Sequence, residues 1–257
     1  MLRWILKAAN SIVNLVVILS LSVAGIYAAY ALWDNNRVYT AADNVQADMV
    51  KIKPVVEKDG GASFEKLLAV NPDVCAWVTV DNTDIDYPVL QGSTNLTYIN
   101  RDVYGNFALA GSIFLDTRNS RDFSDPYSLL YGHHMENGSM FGDLDLFKDQ
   151  TFFDENKTGM LILPDKSYTF EIFGCLLINA GENTIFDPKQ WKTDINGLLS
   201  FAEENSLHLR AETLEKLKQM ETPKILALST CSAEFTDART IILAVMEPYR
   251  TADQEED

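Results

Sequence analysis

Apolar residues recur in short runs along most of this chain, and only its amino-terminal part carries a long one. Between residues 76 and 246 the runs are separated by Asp-Asn, Asn-Gly and Pro-containing turns, a pattern typical of β-strands. It predicts eight strands, at 76–80, 85–90, 112–115, 128–132, 160–163, 168–178, 224–230 and 240–246. Their number and irregular spacing favour a closed barrel over a parallel α/β sheet, so the predicted fold is mainly β with added helices.

Helical patterns lie outside these strands. A polar stretch from residue 34 to about 58 ends at Gly60-Gly61, and residues 63–70 form a short predicted helix that Asn71-Pro72 terminates. Two insertions, at 140–154 and 187–205, carry apolar residues at helical spacing. An amphipathic helix of this kind ordinarily packs on a core.

The long apolar run lies near the amino terminus. Residues 12–33 are uncharged, and a helix of that length, rising about 1.5 Å per residue, spans the roughly 30 Å hydrocarbon core of a membrane. Arg3 and Lys7 precede the run, which predicts that residues 1–11 are cytoplasmic and that the remainder lies outside the cell. A cleaved signal peptide is the alternative, but its apolar core is usually only about 7 to 15 residues long.

The charge composition of the chain limits the kinds of partner that are expected. Asp and Glu outnumber Lys and Arg by 37 to 21, and the net charge of −16 repels phosphate backbones, which argues against nucleic acid. Beyond the membrane segment we expect a helical juxtamembrane segment at 34–59, one domain at 60–250 and a solvated acidic tail at 251–257.

The three cysteines differ in their surroundings. Cys75 and Cys175 lie among apolar residues, as expected of small buried side chains. Cys231 follows the polar pair Ser229-Thr230 at the end of a predicted strand. Three thiols cannot all pair, and an unpaired thiol in an exported domain is a candidate nucleophile. The pattern therefore predicts a reactive Cys231 at the rim of the sheet.

Two further residue types fit an acyl-transfer site around this thiol. An imidazole can accept the thiol proton and later protonate a departing amine, and a guanidinium can hold the negative oxygen of the tetrahedral intermediate. The candidates are His133 or His134, directly after Gly132, and Arg239 at the start of the last strand. His208 has no such context. No carboxylate or thiol accompanies the histidine pair at ligand spacing, so neither a metal nor another cofactor is predicted.

In this order the motifs resemble the sortases, and class B sortase in particular. The shared pattern is a Gly-His pair, a Leu-x-Thr-Cys strand end and an Arg on the next strand, here at 132–133, 228–231 and 239. Further stretches that match class B lie at 71–74, 85–91, 111–116 and 131–135. Each motif alone is common, but their shared order is specific, and the resemblance covers about residues 60 to 250.

The resemblance implies a closed eight-stranded sortase-type barrel with amino-terminal helices and a helical insertion between the sixth and seventh strands. It implies that the insertion is both structural and substrate-facing; a helix that merely covers the barrel is the alternative. It also implies a membrane-anchored cysteine transpeptidase that cleaves a carboxy-terminal sorting signal after Thr. The acyl group would pass through a Cys231 thioester to an amine of a cell-wall precursor. The partners would be surface proteins with signals such as Asn-Pro-x-Thr-Asn or Pro-x-Thr-Gly.

Site residues follow from the same resemblance. The catalytic histidine of the family directly follows the glycine, which selects His133 as acid/base, and neighbours on a strand face opposite sides, so His134 would point away. Cys231 would be the nucleophile and Arg239 the oxyanion or substrate stabiliser. The predicted substrate-groove residues are Asn95, Ile99, Tyr131, Ser229 and, as weaker matches, Thr184 and Ile185. Simple packing of Tyr131 and a turn at Asn95 are the alternatives.

Two other functions are alternatives to a sortase. A papain-like secreted hydrolase also uses Cys and His, but there the Cys precedes the His and no Arg is required, whereas here the order is His, Cys, Arg. A non-catalytic wall-binding domain is the other, and alkylation of Cys231 at neutral pH would distinguish it from an enzyme.

Overall fold

The computed structural model describes residues 2–57, 60–231 and 238–249. Residues 232–237, which follow Cys231, and the predicted acidic tail at 251–257 lie outside these residues. The chain forms two units, Met1–Thr40 and Ala41–Asp257. Helix α1 (Leu2–Val50) contains the described part of the first unit and continues into the second.

The first unit is an exposed apolar helix. Every side chain from residue 3 to 37 is exposed, including Trp4 and Ile26 at 79% and 71%. Within the described residues α1 is the one helix long and apolar enough to cross a membrane, and so much bare apolar surface is unfavourable in water. Its length and composition suggest a membrane anchor. The predicted anchor and the first part of the predicted polar helix form one continuous helix, because neither Gly nor Pro interrupts residues 26–50. The helix ends at Val50, four residues before Pro54, so the prediction of a helix to about residue 58 is wrong for residues 51–57.

The second unit is built on a closed β-barrel. Its strands are β1 (Val74–Val80), β2 (Asp86–Leu90), β3 (Ile113–Leu115), β4 (Tyr127–His133), β5 (Thr158–Ile162), β6 (Ser167–Asn179), β7 (Ser206–Leu209), β8 (Ile225–Cys231) and β9 (Ala238–Pro248). Eight of them follow the order β5-β1-β2-β3-β4-β8-β9-β6, and pairing of β6 with β5 closes the ring. The β2–β3 and β4–β8 pairs are parallel, and the others are antiparallel. The predicted eight-stranded barrel is confirmed.

The helical insertions differ in detail from their prediction. The segment at 140–154 is a 3₁₀ helix (Gly142–Lys148) followed by the short α3 (Gln150–Glu155), because Asp149 is extended and caps α3 by accepting from the Phe152 amide at 2.9 Å. The second insertion begins earlier than predicted, with α4 (Asn183–Phe186). A 3₁₀ helix (Pro188–Trp191) follows after a break at Asp187, since Pro188 cannot donate a backbone hydrogen bond.

The second insertion also contains elements that the periodicity did not reveal. After α5 (Asn196–Asn205) the chain forms β7, which adds to β6 beyond the point where β5 ends, and then α6 (Ala211–Gln219). This insertion lies between β6 and β8, the sixth and eighth strands in chain order. The other short helix, α2 (Glu65–Val70), lies within the predicted segment 63–70.

Two apolar clusters pack the helices onto the barrel strands. In the first, residues of β4, β6, β8 and β9 pack against α5 and α6 through fully buried side chains such as Leu198 and Leu217. In the second, Met49 of α1 and Leu67 of α2 pack on Trp77 of β1. Each buried side chain of this size contributes about 1.5–3 kcal/mol to folding. The first cluster therefore packs α5 and α6 on the strands β4 and β8, which carry His133 and Cys231.

Candidate active site

The site begins with two strand ends that lie side by side. Strands β4 and β8 are parallel and paired without interruption from Tyr127↔Ile225 to His133↔Cys231. Because parallel strands end at the same edge of a sheet, the last residues of both strands meet there. These residues are 98 positions apart in the sequence, and the register makes them direct neighbours.

Strand β9 brings the arginine to the same place. It runs antiparallel to β8, with Ser229 opposite Ile241, and two positions further along the strands are Cys231 and Arg239. The guanidinium Nη1 of Arg239 donates to the Thr230 carbonyl at 2.8 Å, and the Thr240 amide donates to Thr230 Oγ1 at 3.2 Å. The structure thus brings together the strand positions of all three predicted catalytic residues.

The His133 imidazole is half-buried and lies near the positive charge of Arg239. Burial, and secondly the charge of Arg239, lower the pKa of His133, so the imidazole is neutral at neutral pH. Its Nδ1 is buried and has no hydrogen-bond partner among the side chains that the structure describes. A neutral imidazole is the form that can accept a proton.

Gly132 has a steric reason to precede His133. A Cβ at this position would collide with Cδ1 of Ile113 and lie 2.7 Å from Cδ2 of Phe141. Because those side chains belong to the tightly packed interior, a larger residue would push the end of β4 out of line. Gly132 therefore allows Phe141 to pack closely against the strand that ends in His133.

His134 has a different environment from His133. Its Nε2 lies 3.0 Å from Oδ2 of Asp145, and this hydrogen bond raises the pKa of His134. Asp145 also accepts from Thr240 Oγ1 at 2.6 Å and pairs with Lys148 at 2.8 Å. Burial would raise the pKa of Asp145, but the three hydrogen bonds outweigh it and hold that pKa far below its usual range. The His134 imidazole is thus hydrogen-bonded to the Asp145 carboxylate.

Asn95 and Tyr131, two of the predicted groove residues, converge on one buried carboxylate. Asn95 Nδ2 and the Tyr131 hydroxyl donate to Oδ2 of Asp116 at 2.9 and 3.0 Å. Arg118 holds the same carboxylate with two further bonds, from Nε at 2.8 Å and from Nη2 at 2.6 Å. The Tyr131 ring also packs against Phe114, with centroids 5.2 Å apart.

The chain matches known proteins over most of its length. The Sortase domain family matches residues 78–247. Sortase B of Listeria monocytogenes is 30% identical over 205 residues, which cover 79% of this chain and 81% of that protein. The chain belongs to the sortase family.

Solved structures specify the class. A Streptococcus pyogenes class B sortase involved in pilus biogenesis is 37% identical, with a TM-score of 0.64, and the match covers 72% of this chain and 98% of that one. A Staphylococcus aureus sortase B–substrate complex is 27% identical, with a TM-score of 0.63 and coverages of 82% and 94%. This protein is a class B sortase and therefore a cysteine transpeptidase, as its motifs predicted. The papain-like and non-catalytic alternatives are wrong.

The remaining predicted groove residues of this sortase occupy different depths. Ile99 is half-buried and packs on the second apolar cluster. Thr184 is also half-buried, and its carbonyl accepts from Trp191 Nε1 at 2.7 Å. The side chains of Ile185 and Ser229 are fully buried, and the Ser229 hydroxyl donates to the Thr230 carbonyl at 3.2 Å. This depth counts against direct substrate contact through the last two side chains.

The other cysteines and the third histidine have structural surroundings. Burial raises the pKa of both Cys75 and Cys175 to about 12, so these thiols stay protonated at neutral pH. His208 Nε2 lies 2.8 Å from the Lys148 carbonyl oxygen, and its ring packs on Phe153. Cys231 is thus the cysteine of this sortase whose strand position adjoins His133.

Sequence reasoning assigned no role to Asp116, Arg118, Asp145 or Phe186 of this sortase. Asp116 lies inside the class B-like stretch at 111–116, and the Asp-x-Arg spacing directly after an apolar strand is a signal for a local ion pair. Asp145 and Phe186 carry no comparable signal for a role at the site, because Thr240 and Tyr131, which they contact there, are distant in the sequence.

Proposed function

We propose that this sortase cleaves a carboxy-terminal sorting signal after Thr and joins the new carboxyl end to an amine of a cell-wall precursor. The observation that carries the proposal is the pairing of His133 with Cys231 at the ends of two parallel strands. The lowered pKa of His133 supports it, because the neutral imidazole can accept the thiol proton.

The first half-reaction forms a thioester. His133 takes the proton of Cys231, and the sulfur attacks the carbonyl carbon of the Thr in the signal. The oxyanion that develops is stabilised by the Arg239 guanidinium, whose charge and fixed donors suit it. The C–N bond after Thr then breaks, and the His133 imidazolium gives its proton to the departing amine.

The second half-reaction releases the product and regenerates the free enzyme. The acceptor amine attacks the thioester carbon and transfers a proton to His133, and an amide bond forms as the C–S bond breaks. The thiolate of Cys231 takes the proton back. The groove that guides the signal would be lined by Asn95, Ile99 and Tyr131 and by the start of the second insertion at Thr184.

The substrates and the orientation belong to the same proposal. We expect signals of the Asn-Pro-x-Thr-Asn or Pro-x-Thr-Gly type, carried by surface proteins. Arg3 and Lys7 precede the apolar part of α1, which supports a single-pass anchor with a cytoplasmic amino terminus and an extracellular catalytic domain.

The test uses the full chain in detergent. Peptides of both signal types are incubated with an amine acceptor, and the products are identified by mass. We expect cleavage after Thr, incorporation of the amine, and an acyl adduct on Cys231. Cys231→Ala should abolish all three, whereas Cys75→Ala and Cys175→Ala should mainly lower thermal stability. Comparable loss of turnover in a folded Cys75 or Cys175 variant would contradict the assignment, and water as the sole acceptor would contradict transpeptidation.

A further inference from the structure

The ion pair between the buried Asp116 and the half-buried Arg118 extends from the end of β3 to the second insertion. Arg118 Nη2 donates to the Phe186 carbonyl at 2.5 Å, and Nη1 pairs with Oδ1 of Asp187 at 3.3 Å. The partners are 68 and 69 positions away in the sequence. One guanidinium therefore joins the end of β3 to the end of α4.

The segment held in this way lies against two residues of the site. The Phe186 ring stacks on Tyr131, with centroids 6.3 Å apart and planes 13° from parallel. The same ring lies 6.0 Å from the guanidinium carbon of Arg239. Whatever fixes the Phe186 backbone therefore fixes an aromatic wall beside Arg239.

Burial and several hydrogen bonds fix the geometry of the Asp116–Arg118 pair. The Asp116 side chain is fully buried, and it accepts from Arg118, Asn95 and Tyr131 together. Burial would raise the pKa of Asp116, but the Arg118 hydrogen bonds and charge outweigh it, so that its pKa is lowered and the carboxylate stays charged. A lysine could not reproduce the fork to the carboxylate and the bond to the carbonyl at the same time.

We propose that Arg118, oriented by Asp116, is a positioning residue that holds the Phe186 segment in place as a wall of the substrate groove beside Arg239. Arg118 acts through Phe186 and contacts neither Arg239 nor the sorting peptide. The inference rests on the proposed function, because it concerns how that site binds its peptide. A purely structural ion pair would lower stability without affecting peptide binding.

The first test compares kinetics in full-length variants. Arg118→Lys should lower kcat/KM for the sorting peptide by about 10- to 10²-fold, mainly by raising KM, because loose positioning costs that much. The alkylation rate of Cys231 by iodoacetamide should not change. Arg121→Lys is the matched control: its Nη2 also donates to backbone carbonyls, those of Pro72 and Val74 at 2.6 and 2.7 Å, but at the start of β1.

A double-mutant cycle tests whether Arg118 acts through Phe186. Phe186→Leu removes the ring and keeps the backbone carbonyl. If Arg118 acts through Phe186, the double variant should lose little more than the stronger single variant. Independent, multiplying losses would overturn the proposal, as would a wild-type KM in a folded Arg118→Lys protein. Asp187→Asn removes the charge at the more exposed end of the contact and keeps an Oδ1 acceptor for the Lys189 amide. This variant should show a smaller rise in KM, and it replaces Arg118→Lys in the test if that variant does not fold.

Hydrogen–deuterium exchange separates this inference from the proposed function. Residues 183–187 should exchange faster in Arg118→Lys than in wild type or Arg121→Lys. Unchanged exchange there would overturn the proposal even if no peptide is turned over. Conversely, if wild type cleaves no sorting peptide while the exchange difference is observed, the proposed function fails and the positioning of the segment by Arg118 stands.

Discussion

His133 and His134 are adjacent in sequence, but their imidazoles have opposite electrostatic environments. Burial and Arg239 lower the pKa of the first, while Asp145 raises the pKa of the second. Only the first is paired in register with Cys231. The difference supports the proposed proton-transfer role of His133, whereas His134 is hydrogen-bonded to Asp145.

We therefore expect His133→Ala to reduce turnover by roughly 10²- to 10⁴-fold, the usual contribution of a general acid–base group. His134→Ala should stay much closer to wild type. The measurement is steady-state turnover of a sorting peptide, with circular dichroism to establish that both variants are folded. The opposite ranking in folded proteins would exclude His133 as the acid/base.

Arg239 differs from an ordinary surface arginine because its guanidinium is oriented by the Thr230 carbonyl next to Cys231. If its fork binds the developing oxyanion, Arg239→Lys should keep the charge and still lose about 10²-fold in turnover, because an ammonium cannot present two parallel donors. Turnover and Cys231 alkylation are compared in Arg239→Lys and Arg239→Ala. Intact alkylation with lost turnover would assign Arg239 to a step after thiolate formation, whereas near wild-type turnover in both would remove it from the site.

At the scale of elements, Asp145 links strands that are not neighbours. It accepts from His134 just beyond β4 and from Thr240 on β9, while β8 lies between them in the barrel. Both partners directly follow a predicted catalytic residue in the sequence. The contact therefore ties together the strands on both sides of Cys231.

The link should make stability depend on pH in a defined window. The pKa of His134 is raised, so its contribution is present below its unfolded pKa of about 6.5 and is lost as the pH rises through the folded value. The pKa of Asp145 is lowered, so its contribution is present above about 3.8 and is lost as the pH falls through the folded value. The pair should thus stabilise the fold most between about pH 4 and 6.5.

His134→Gln should accordingly destabilise the protein more at pH 5.5 than at pH 8.5. The difference should stay below about 1 kcal/mol, because both side chains are more than a third exposed and solvent screens the pair. Chemical unfolding at the two pH values measures it, and Asp145→Asn with the double variant completes the cycle. His133 has the opposite pKa shift, but it is present in every variant and cancels. An equal loss at both pH values would contradict the prediction.

At the scale of the whole molecule, α1 contains the candidate membrane anchor. Its apolar part has no buried residue, and a helix of this length spans a bilayer. These two properties suggest that α1 contains a membrane anchor.

If the segment is an uncleaved anchor, the full chain should remain in the membrane fraction of cells. Protease added outside should degrade the carboxy-terminal domain and leave a fragment that contains residues 12–33. Mass measurement of the purified protein gives its amino terminus. A soluble chain that begins near residues 29–33 would show that the segment is a cleaved signal peptide.

The sequence by itself determined the features that depend on neighbouring residues. Short apolar runs with turn residues between them predicted all eight barrel strands, and the Gly-His, Thr-Cys and Arg motifs predicted the family and the three candidate residues at the site. The sequence did not predict the helix breaks inside the two insertions. Asp149, which caps α3, and the 3₁₀ helix that begins at Pro188 interrupt the helix where the spacing of apolar residues looks continuous.

Only the tertiary structure decided which distant residues meet. The parallel β4–β8 register brings His133 beside Cys231, and Arg118 reaches the Phe186 carbonyl across 68 positions of the chain. It also decided that Asn95 and Tyr131 share Asp116, and that His134 faces Asp145. The physical reason is that strand pairing and buried hydrogen bonds are chosen by the packing of the whole domain, which no local period in the sequence records.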